Sequence, residues 1–232
     1  MNERMKVRAC IGPALVFAIL LGVCLTTMAP TITWAHHGAD GGDLVRAVAL
    51  GSIPHPPGFP TYLVLGGIFL RLPLLPGDPA WRLNLMSAAM ASGTAALIAA
   101  LVAALIAALL GRQQPAASEP LVGVTAGLSL GLAPLFWSQA LITEVYTTAA
   151  FFVALALWLA WCGKPVWALG LAWGVGLGAH PTLICLAPVA AWAVWRDGSG
   201  NGAGRWRRVL IAALTVTLTT GLGWATMYGP VL

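Results

Sequence analysis

Two aspartates near the start of the chain have the residue type and spacing of an acid–base pair. Asp40 and Asp43 lie three residues apart in the segment TITWAHHGADGGDLVRA. A helix beginning near Asp43 would place both carboxylates on one side of its N-terminus. Neighbouring carboxylates can divide their roles, because the charge of one raises the pKa of the other. The same spacing is as typical of a helix cap, with Asp40 or Gly42 at the N-cap position, so both interpretations stay open.

His55 lies in a second segment that could form part of a site. The sequence GSIPHPPGFPTY, residues 51–62, contains four prolines and two glycines, which predicts a rigid, non-helical turn. Such a turn could form a wall of a cavity and hold His55 toward it. The alternative is a structural turn with an exposed histidine.

Three further polar residues occur later, in otherwise apolar sequence. Glu144 and Tyr146 lie in WSQALITEVYTT, and His180 lies in GLGAHPT. Ionisable groups at membrane depth are costly and are usually functional, so we predict that these residues line a binding cavity with His55. Alternatively, Glu144 is an acid at a helix N-terminus, and His180 bonds the backbone freed by the proline that follows it.

The sequence contains no strong cofactor signature. It has no P-loop, HExxH motif, zinc-type Cys/His spacing or dinucleotide fingerprint. His36 and His37, together with Asp40 and Asp43, could bind a divalent cation, but no spacing specifies a metal site. The four cysteines lie in or beside apolar runs and form no CxxC pair, so we predict buried thiols in helices.

The composition indicates the class of protein in which these residues act. Of 232 residues, 59% are hydrophobic and 8% are charged, and the mean hydropathy is +0.86. A soluble domain carries about 25% charged residues. A soluble enzyme, a nucleic-acid-binding protein and a disordered chain are therefore excluded. We predict an all-α integral membrane protein.

Uncharged runs predict about seven transmembrane helices within a single domain over residues 1–232. The first is a retained signal anchor, since its apolar run is long for a cleaved signal peptide. Residues 61–76 are short and contain Arg71, so we predict a helix lying along the membrane interface. The expected spans are 9–32, 83–110, 121–140, 144–163, 165–179, 181–195 and 208–228, the fifth and sixth meeting at His180-Pro181.

The distribution of basic residues predicts the orientation of these spans. If 61–76 does not cross, nine of the twelve Lys and Arg residues face the cytoplasm, together with the N-terminus and a loop at 196–208. The first external loop, 31–82, then carries both aspartates and His55. Glycines at four-residue intervals predict close helix packing and no chemistry; they are Gly123, Gly127, Gly131, Gly170, Gly174 and Gly178.

The order of these motifs resembles a bacterial membrane family of unknown function. That family is related to eukaryotic protein O-mannosyltransferases, in the GT-C superfamily of multispanning glycosyltransferases. The resemblance covers about residues 25–195, and HPPGFP at 55–60 and WRLNLMSA at 81–88 are its most specific parts. The family usually shows Asp-small-Gly-Glu in its first external loop, where this chain has Asp40-Gly41-Gly42-Asp43.

The resemblance implies a GT-C-like helical bundle that works on the external or periplasmic face of the inner membrane. Such a protein transfers a sugar, with mannose one candidate, from a polyprenyl-phosphate donor to a hydroxyl of a protein or glycan, with inversion. Asp40 would be the general base and Asp43 its partner or substitute. Arg82 or Arg46 would hold the donor phosphate. The remaining cavity residues would be His55, Glu144, Tyr146 and His180.

Two other functions stay open. One is a non-catalytic membrane subunit or truncated homologue, because members of that family continue well beyond this length and this chain could be their N-terminal part. The other is a transporter or flippase for lipid-linked sugars, which would require internal repeats and mid-membrane ionisable groups. The sequence shows no such repeat. It does not determine the oligomeric state.

Overall fold

The fold is all-helical, as the composition predicts. The computed structural model describes residues 3–73, 75–111, 118–196 and 202–228, and these contain helices and no strand. Short 3-10 helices occur at Ala35–His37 and Pro181–Leu186. The α-helices are α1 (Glu3–Thr27), α2 (Gly41–Leu50), α3 (Pro60–Arg71), α4 (Pro79–Leu109), α5 (Ser118–Gly131), α6 (Pro134–Ala140), α7 (Tyr146–Trp161), α8 (Val166–Ala179), α9 (Ala187–Arg196) and α10 (Gly202–Tyr228).

Three helices in the described residues are long and apolar enough to cross a bilayer. They are α1, α4 and α10, and the bent pair α5–α6 adds a fourth if it forms one span. The other predicted spans coincide with the apolar helices α7, α8 and Pro181–Arg196. These are shorter than the roughly 20 residues that a continuous crossing needs. The chain is thus an all-α membrane protein. A total of about seven spans is reached only if the three short helices also cross the membrane.

The span predicted over 121–140 is not one continuous helix, because the chain bends there by 70°. α5 ends at Gly131 and α6 begins at Pro134. Proline disfavours helical backbone in the preceding residue, and Ala133 is extended, with φ −61° and ψ 129°. The helix predicted for 144–163 also begins later, at Tyr146, so Glu144 lies in the link between α6 and α7.

The predicted break at His180-Pro181 is confirmed. α8 ends at Ala179, and His180 is extended, with φ −159° and ψ 134°, before the 3-10 helix. The segment 61–76 contains most of α3, a helix of 12 residues. At 1.5 Å per residue it is about 18 Å long, which is too short to cross the hydrocarbon core.

The fourth helix begins earlier than the predicted residue 83. Asp78 is its N-cap, and the Asp78 carboxylate accepts a hydrogen bond from the Trp81 N–H at 2.8 Å. Thr31 donates to the same carboxylate at 2.6 Å, which ties the segment after α1 to the start of α4. The predicted external loop 31–82 therefore ends at Asp78. Of the predicted loop 196–208, residues 197–201 lie outside the described residues.

The prediction of buried thiols holds for one cysteine. Cys24 of α1 is buried, whereas Cys10, Cys162 and Cys185 are exposed at the surface of the protein. Cys162 is also not helical, since it follows the last residue of α7. Apolar sequence context did not distinguish a helix face inside the bundle from one outside it, because lipid accepts an apolar surface as readily as the core does.

The regularly spaced glycines lie where helices approach closely, as their spacing predicts. A Cβ added at Gly127 would lie 2.6 Å from the Ala95 carbonyl oxygen of α4. In α8, a Cβ at Gly174 would collide with the Thr219 hydroxyl of α10. Because backbone atoms cannot easily move away, the contact at Gly127 requires glycine.

We expect Gly127→Val to destabilise the protein by roughly 1–3 kcal/mol, because the added side chain forces α5 away from α4. Thermal unfolding in detergent, followed by tryptophan fluorescence, would measure the loss. Gly22→Val is the matched control, since a Cβ at Gly22 of α1 meets no atom within 4 Å. Equal stability of the two variants would contradict the packing interpretation.

Candidate active site

The two predicted carboxylates lie at the start of α2 and face the same way. Asp40 is the N-cap residue, but its side chain makes no capping hydrogen bond. Asp43 lies in the first helical turn. Both side chains approach the same histidine, His55 of the Pro-rich segment. The carboxylate of Asp40 therefore remains accessible for chemistry, which a capping role would not allow.

Asp43 holds His55 through two hydrogen bonds to one carboxylate oxygen. The His55 backbone N–H donates to Asp43 Oδ2 at 2.8 Å, and Nδ1 lies 2.9 Å from the same oxygen. An ionised carboxylate only accepts, so Nδ1 must carry the proton in this contact. The other ring nitrogen, Nε2, lies 3.6 Å from Asp40 Oδ2. The imidazole thus lies between the two carboxylates and links their positions.

The environment lowers the basicity of Asp43. Hydrogen bonds from the His55 backbone and then from its ring hold the pKa of Asp43 below its ordinary value, and the positive charge of Arg46 acts in the same direction. Arg46 Nη2 lies 3.7 Å from Asp43 Oδ1. The Asp40 side chain is 45% exposed and that of Asp43 33%. Asp43 is thus suited to orient the histidine, and Asp40 is the carboxylate that a substrate can reach.

Aromatic rings connect His55 to the other predicted cavity residues. The ring of Phe59 lies 5.3 Å from that of His55 and 6.0 Å from that of His180. The ring of Tyr146 lies 5.9 Å from that of His180. Distant parts of the chain therefore share one site. The sequence-based prediction missed Phe59, although an aromatic residue within HPPGFP is a usable signal.

His180 also has a structural role. Its Nδ1 lies 2.8 Å from the Thr182 hydroxyl and accepts a hydrogen bond from the Thr182 N–H at 3.3 Å. The histidine thereby caps the 3-10 helix that begins at Pro181. The expected bonding to backbone near Pro181 is present, and it holds the ring beside Phe59 and Tyr146.

Glu144 is a buried acid close to this cluster. It is 2% exposed, and burial followed by the negative charge of Asp40 raises the pKa of Glu144 to about 7. Tyr62 is fully buried, and burial and the Glu144 charge raise the pKa of its hydroxyl. Thr147 and Thr148 are also fully buried. Glu144 Oε2 has no hydrogen-bond partner among the described residues, which favours the neutral acid.

Polar residues of α4 hold the link that carries Glu144. Asn84 donates to the Ala29 carbonyl at 2.8 Å and accepts from the Thr143 hydroxyl at 2.7 Å. Ser87 donates to the Glu144 carbonyl at 3.4 Å. The segment WRLNLMSA therefore positions the acid of the site. Asn84 is 1% exposed, and a buried amide in an apolar helix is the signal that could have identified it.

Arg82, one of the two arginines expected at the donor phosphate, makes a structural contact. Its guanidinium donates to the carbonyls of Leu70, near the end of α3, and of Leu75, beyond that helix, each at 2.6 Å. Arg46 is the arginine beside the aspartates, with 58% of its side chain exposed.

The described residues do not bring together a set of ligands for the divalent cation that the sequence allows. Among the described residues, no group of three His, Cys, Asp or Glu side chains could hold a metal ion. His36 and His37 are exposed in the 3-10 helix before α2.

The fold and this cluster define an all-helical membrane protein with a carboxylate–imidazole site where several of its helices begin or end. The profile of the family described as protein O-mannosyl-transferase TMEM260 N-terminal domain matches residues 40–202, which is more than half of the chain. The chain therefore belongs to this family. Asp40 is the first residue of the matched region.

One relative of this chain has the name that the family bears. The chain is 27% identical over 147 residues to the protein O-mannosyl-transferase TMEM260 of Mus musculus. The match covers 63% of this chain and 18% of the mouse protein, so the chain spans only a small part of that relative's length. No solved structure matches the chain. The sequence-based resemblance to protein O-mannosyltransferases is thus confirmed at the level of the family.

We expect the protein to lose stability as the pH rises, because Glu144 must ionise in a buried position. Its pKa lies near 7 in the folded protein, against a reference value of 4.5. Its stabilising contribution is therefore fully present below the reference value and is lost as the pH rises through about 7. Between about pH 5 and pH 8, the Tm of the Glu144→Gln variant should fall by roughly 2–6 °C less than the Tm of the wild type.

The measurement is thermal unfolding of the purified chain across that pH range. Asp40→Asn is the companion variant: removal of its negative charge lowers the pKa of Glu144, so the fall should become smaller. An identical pH dependence in wild type and Glu144→Gln would show that Glu144 does not titrate in this range.

Proposed function

We propose that this protein is a membrane glycosyltransferase of the GT-C type. It transfers a sugar from a polyprenyl-phosphate donor to an acceptor hydroxyl at the external face of the plasma membrane, which is the inner membrane in a two-membrane cell. The observation that carries the proposal is the Asp40–His55–Asp43 cluster within the region matched by the TMEM260 N-terminal domain family. Mannose is the sugar that the family name favours, and the acceptor is a protein or a glycan.

In the proposed reaction, Asp40 is the general base. It removes the proton of the acceptor hydroxyl as the oxygen attacks the anomeric carbon of the sugar. The bond from that carbon to the donor phosphate breaks, and polyprenyl phosphate leaves with its electron pair. Attack opposite the leaving group inverts the anomeric centre. A positioned base of this kind contributes about 10²–10⁴-fold to the rate.

The geometry supports Asp40 over Asp43 as the base. Asp43 accepts two hydrogen bonds from His55, and its pKa lies below the ordinary value, which makes it a poorer base than an unperturbed carboxylate. The pKa of Glu144 shifts the opposite way from that of Asp43, so Glu144 is largely protonated below neutral pH. Divergent pKa values within one cluster favour separate roles: Asp40 reacts, Asp43 orients His55, and Glu144 is a neutral acid beside them.

Arg46 is the better candidate to hold the donor phosphate. Both terminal nitrogens of Arg82 are engaged by backbone carbonyls, whereas Arg46 is exposed beside Asp43. A guanidinium offers two parallel donors that match phosphate oxygens. The sugar would contact the series of rings formed by His55, Phe59, His180 and Tyr146.

We expect Asp40→Asn to lower sugar transfer by about 10²–10⁴-fold, because the amide cannot accept the hydroxyl proton. The assay uses the full chain in proteoliposomes, radiolabelled polyprenyl-phosphate mannose and a Ser/Thr-containing peptide. Thr125→Val is the control, since Thr125 is exposed on α5 and its hydroxyl donates to the Leu121 carbonyl of the same helix. Equal transfer by Asp40→Asn and wild type would refute the assignment of the base. Absence of donor binding by the wild type would favour the non-catalytic subunit.

We expect the aspartate cluster to face the outside of the cell. Cys162, just beyond the far end of α7, is exposed and can serve as a topology marker once Cys10, Cys24 and Cys185 are replaced by serine. A membrane-impermeant maleimide should label Cys162 only in permeabilised cells. In a cysteine-free chain, His37→Cys should be labelled in intact cells. The reverse pattern would overturn the proposed orientation.

A further inference from the structure

A groove lies between α4, α7 and α9, away from the aspartates. It has a volume of about 350 Å³, which lies within the size range of small-ligand sites. No residue of the proposed active site lines it. Its walls are apolar and include Leu101 and Leu105 of α4, Leu157 and Trp161 of α7, and Val189 and Trp192 of α9.

The groove lies at the other end of α7 from the active site. That helix begins at Tyr146, which contacts His180, and ends at Trp161, which lines the groove. A helix of 16 residues places its ends about 22 Å apart. The groove is therefore a separate feature, and a ligand there does not depend on the proposed glycosyltransferase activity.

Two cations lie near the end of α7, and one of them, Arg196, contacts the wall of the groove. The guanidinium of Arg196 donates to the Trp161 carbonyl at 2.9 Å and lies 4.5 Å from the ring centre of Trp192. The ammonium of Lys164 lies 5.7 Å from the ring centre of Trp158. The rings of Trp161 and Trp192 are stacked, 6.3 Å apart at 11°. The residues that form the groove wall thus also hold Arg196 in place.

The positive charges of these two residues act on one small region. A Cβ added at Gly163, which precedes Lys164, would lie 3.1 Å from Arg196 Nη2. Both charges also act on the thiol of Cys162, where they oppose the burial that raises its pKa. A single anionic group beside the turn after α7 can therefore attract both cations.

These cations have no carboxylate counter-ion in the described part of the chain. Both Lys164 and Arg196 are exposed, and the ion pairs found there involve neither of them. Asp197, the next residue, lies outside the described residues. Trp167 of α8 and Trp195 of α9 are exposed as well, by 53% and 68%. Tryptophan is enriched at the level of lipid headgroups, so this end of the protein has the composition of a membrane interface.

We propose that this groove binds an anionic glycerophospholipid. One acyl chain lies between α4, α7 and α9, and the phosphate is held by Arg196 and Lys164. Charge complementarity selects this occupant: an apolar chain matches the walls, and a phosphate matches two neighbouring cations, one of them a guanidinium. Basic pockets between transmembrane helices bind anionic headgroups for the same reason.

The test measures lipid binding by the purified full chain in detergent, by native mass spectrometry and thermal stabilisation. Phosphatidylglycerol should bind and stabilise, and phosphatidylcholine with the same acyl chains should bind several-fold more weakly. Glycerol phosphate alone should not stabilise, because it lacks the chain that fills the groove. Equal binding of the two lipids, or stabilisation by glycerol phosphate, would overturn the proposal.

Two kinds of variant separate the headgroup from the chain. The double change Arg196→Gln and Lys164→Gln should weaken phosphatidylglycerol binding about 25-fold, and Val189→Trp should weaken it by filling the groove. Arg207→Gln, at an exposed position of α10, is the matched charge control and should bind as wild type does. If the control lost as much phosphatidylglycerol binding as the double variant, the effect would come from general surface charge, and the proposed site would be refuted. The Tm without lipid checks that each variant is folded.

Discussion

Two hydrogen bonds from His55 to a single oxygen of Asp43 join the first turn of α2 to the Pro-rich segment that precedes α3. They place the imidazole between the two carboxylates and leave Asp40 as the accessible one. The same segment carries Phe59, whose ring lies within 6.0 Å of the rings of both His55 and His180. Without this contact, the accessible carboxylate and the ring series would have no fixed relation to each other.

A second constraint comes from the buried polar residues of α4. Within an apolar helix, an unpaired amide would be costly, so Asn84 must find partners, and it finds them in Ala29 and Thr143. The link that contains Thr143 therefore cannot move freely, and the next residue along it is Glu144. The position of the buried acid is thus a consequence of satisfying a buried amide. Its pKa follows from that position, through burial and the charge of Asp40.

The sequence-based predictions succeeded where one residue type has one physical meaning. Proline predicted the break at His180, and glycine spacing predicted the close contact at Gly127. They were less informative where a role depends on partners. Arg82 has the right type for a phosphate site, yet its two terminal nitrogens donate to the carbonyls of Leu70 in α3 and of Leu75 beyond that helix. Phe59 was missed although it lies within HPPGFP, because the contacts of its ring with His55 and His180 exist only in the folded chain.

By itself, the sequence determined an all-α membrane protein with its polar residues confined to a few short segments. Hydropathy and charge decide this, because the bilayer acts on each segment separately. The tertiary structure alone decided which acid is accessible and which is engaged, since Asp40 and Asp43 differ little in sequence context. It also decided that Glu144 is buried, that Arg46 and not Arg82 lies beside the aspartates, and that two cations lie near an apolar groove. Burial, hydrogen bonding and the field of neighbouring charges depend on residues far apart in the chain, and only packing brings them together.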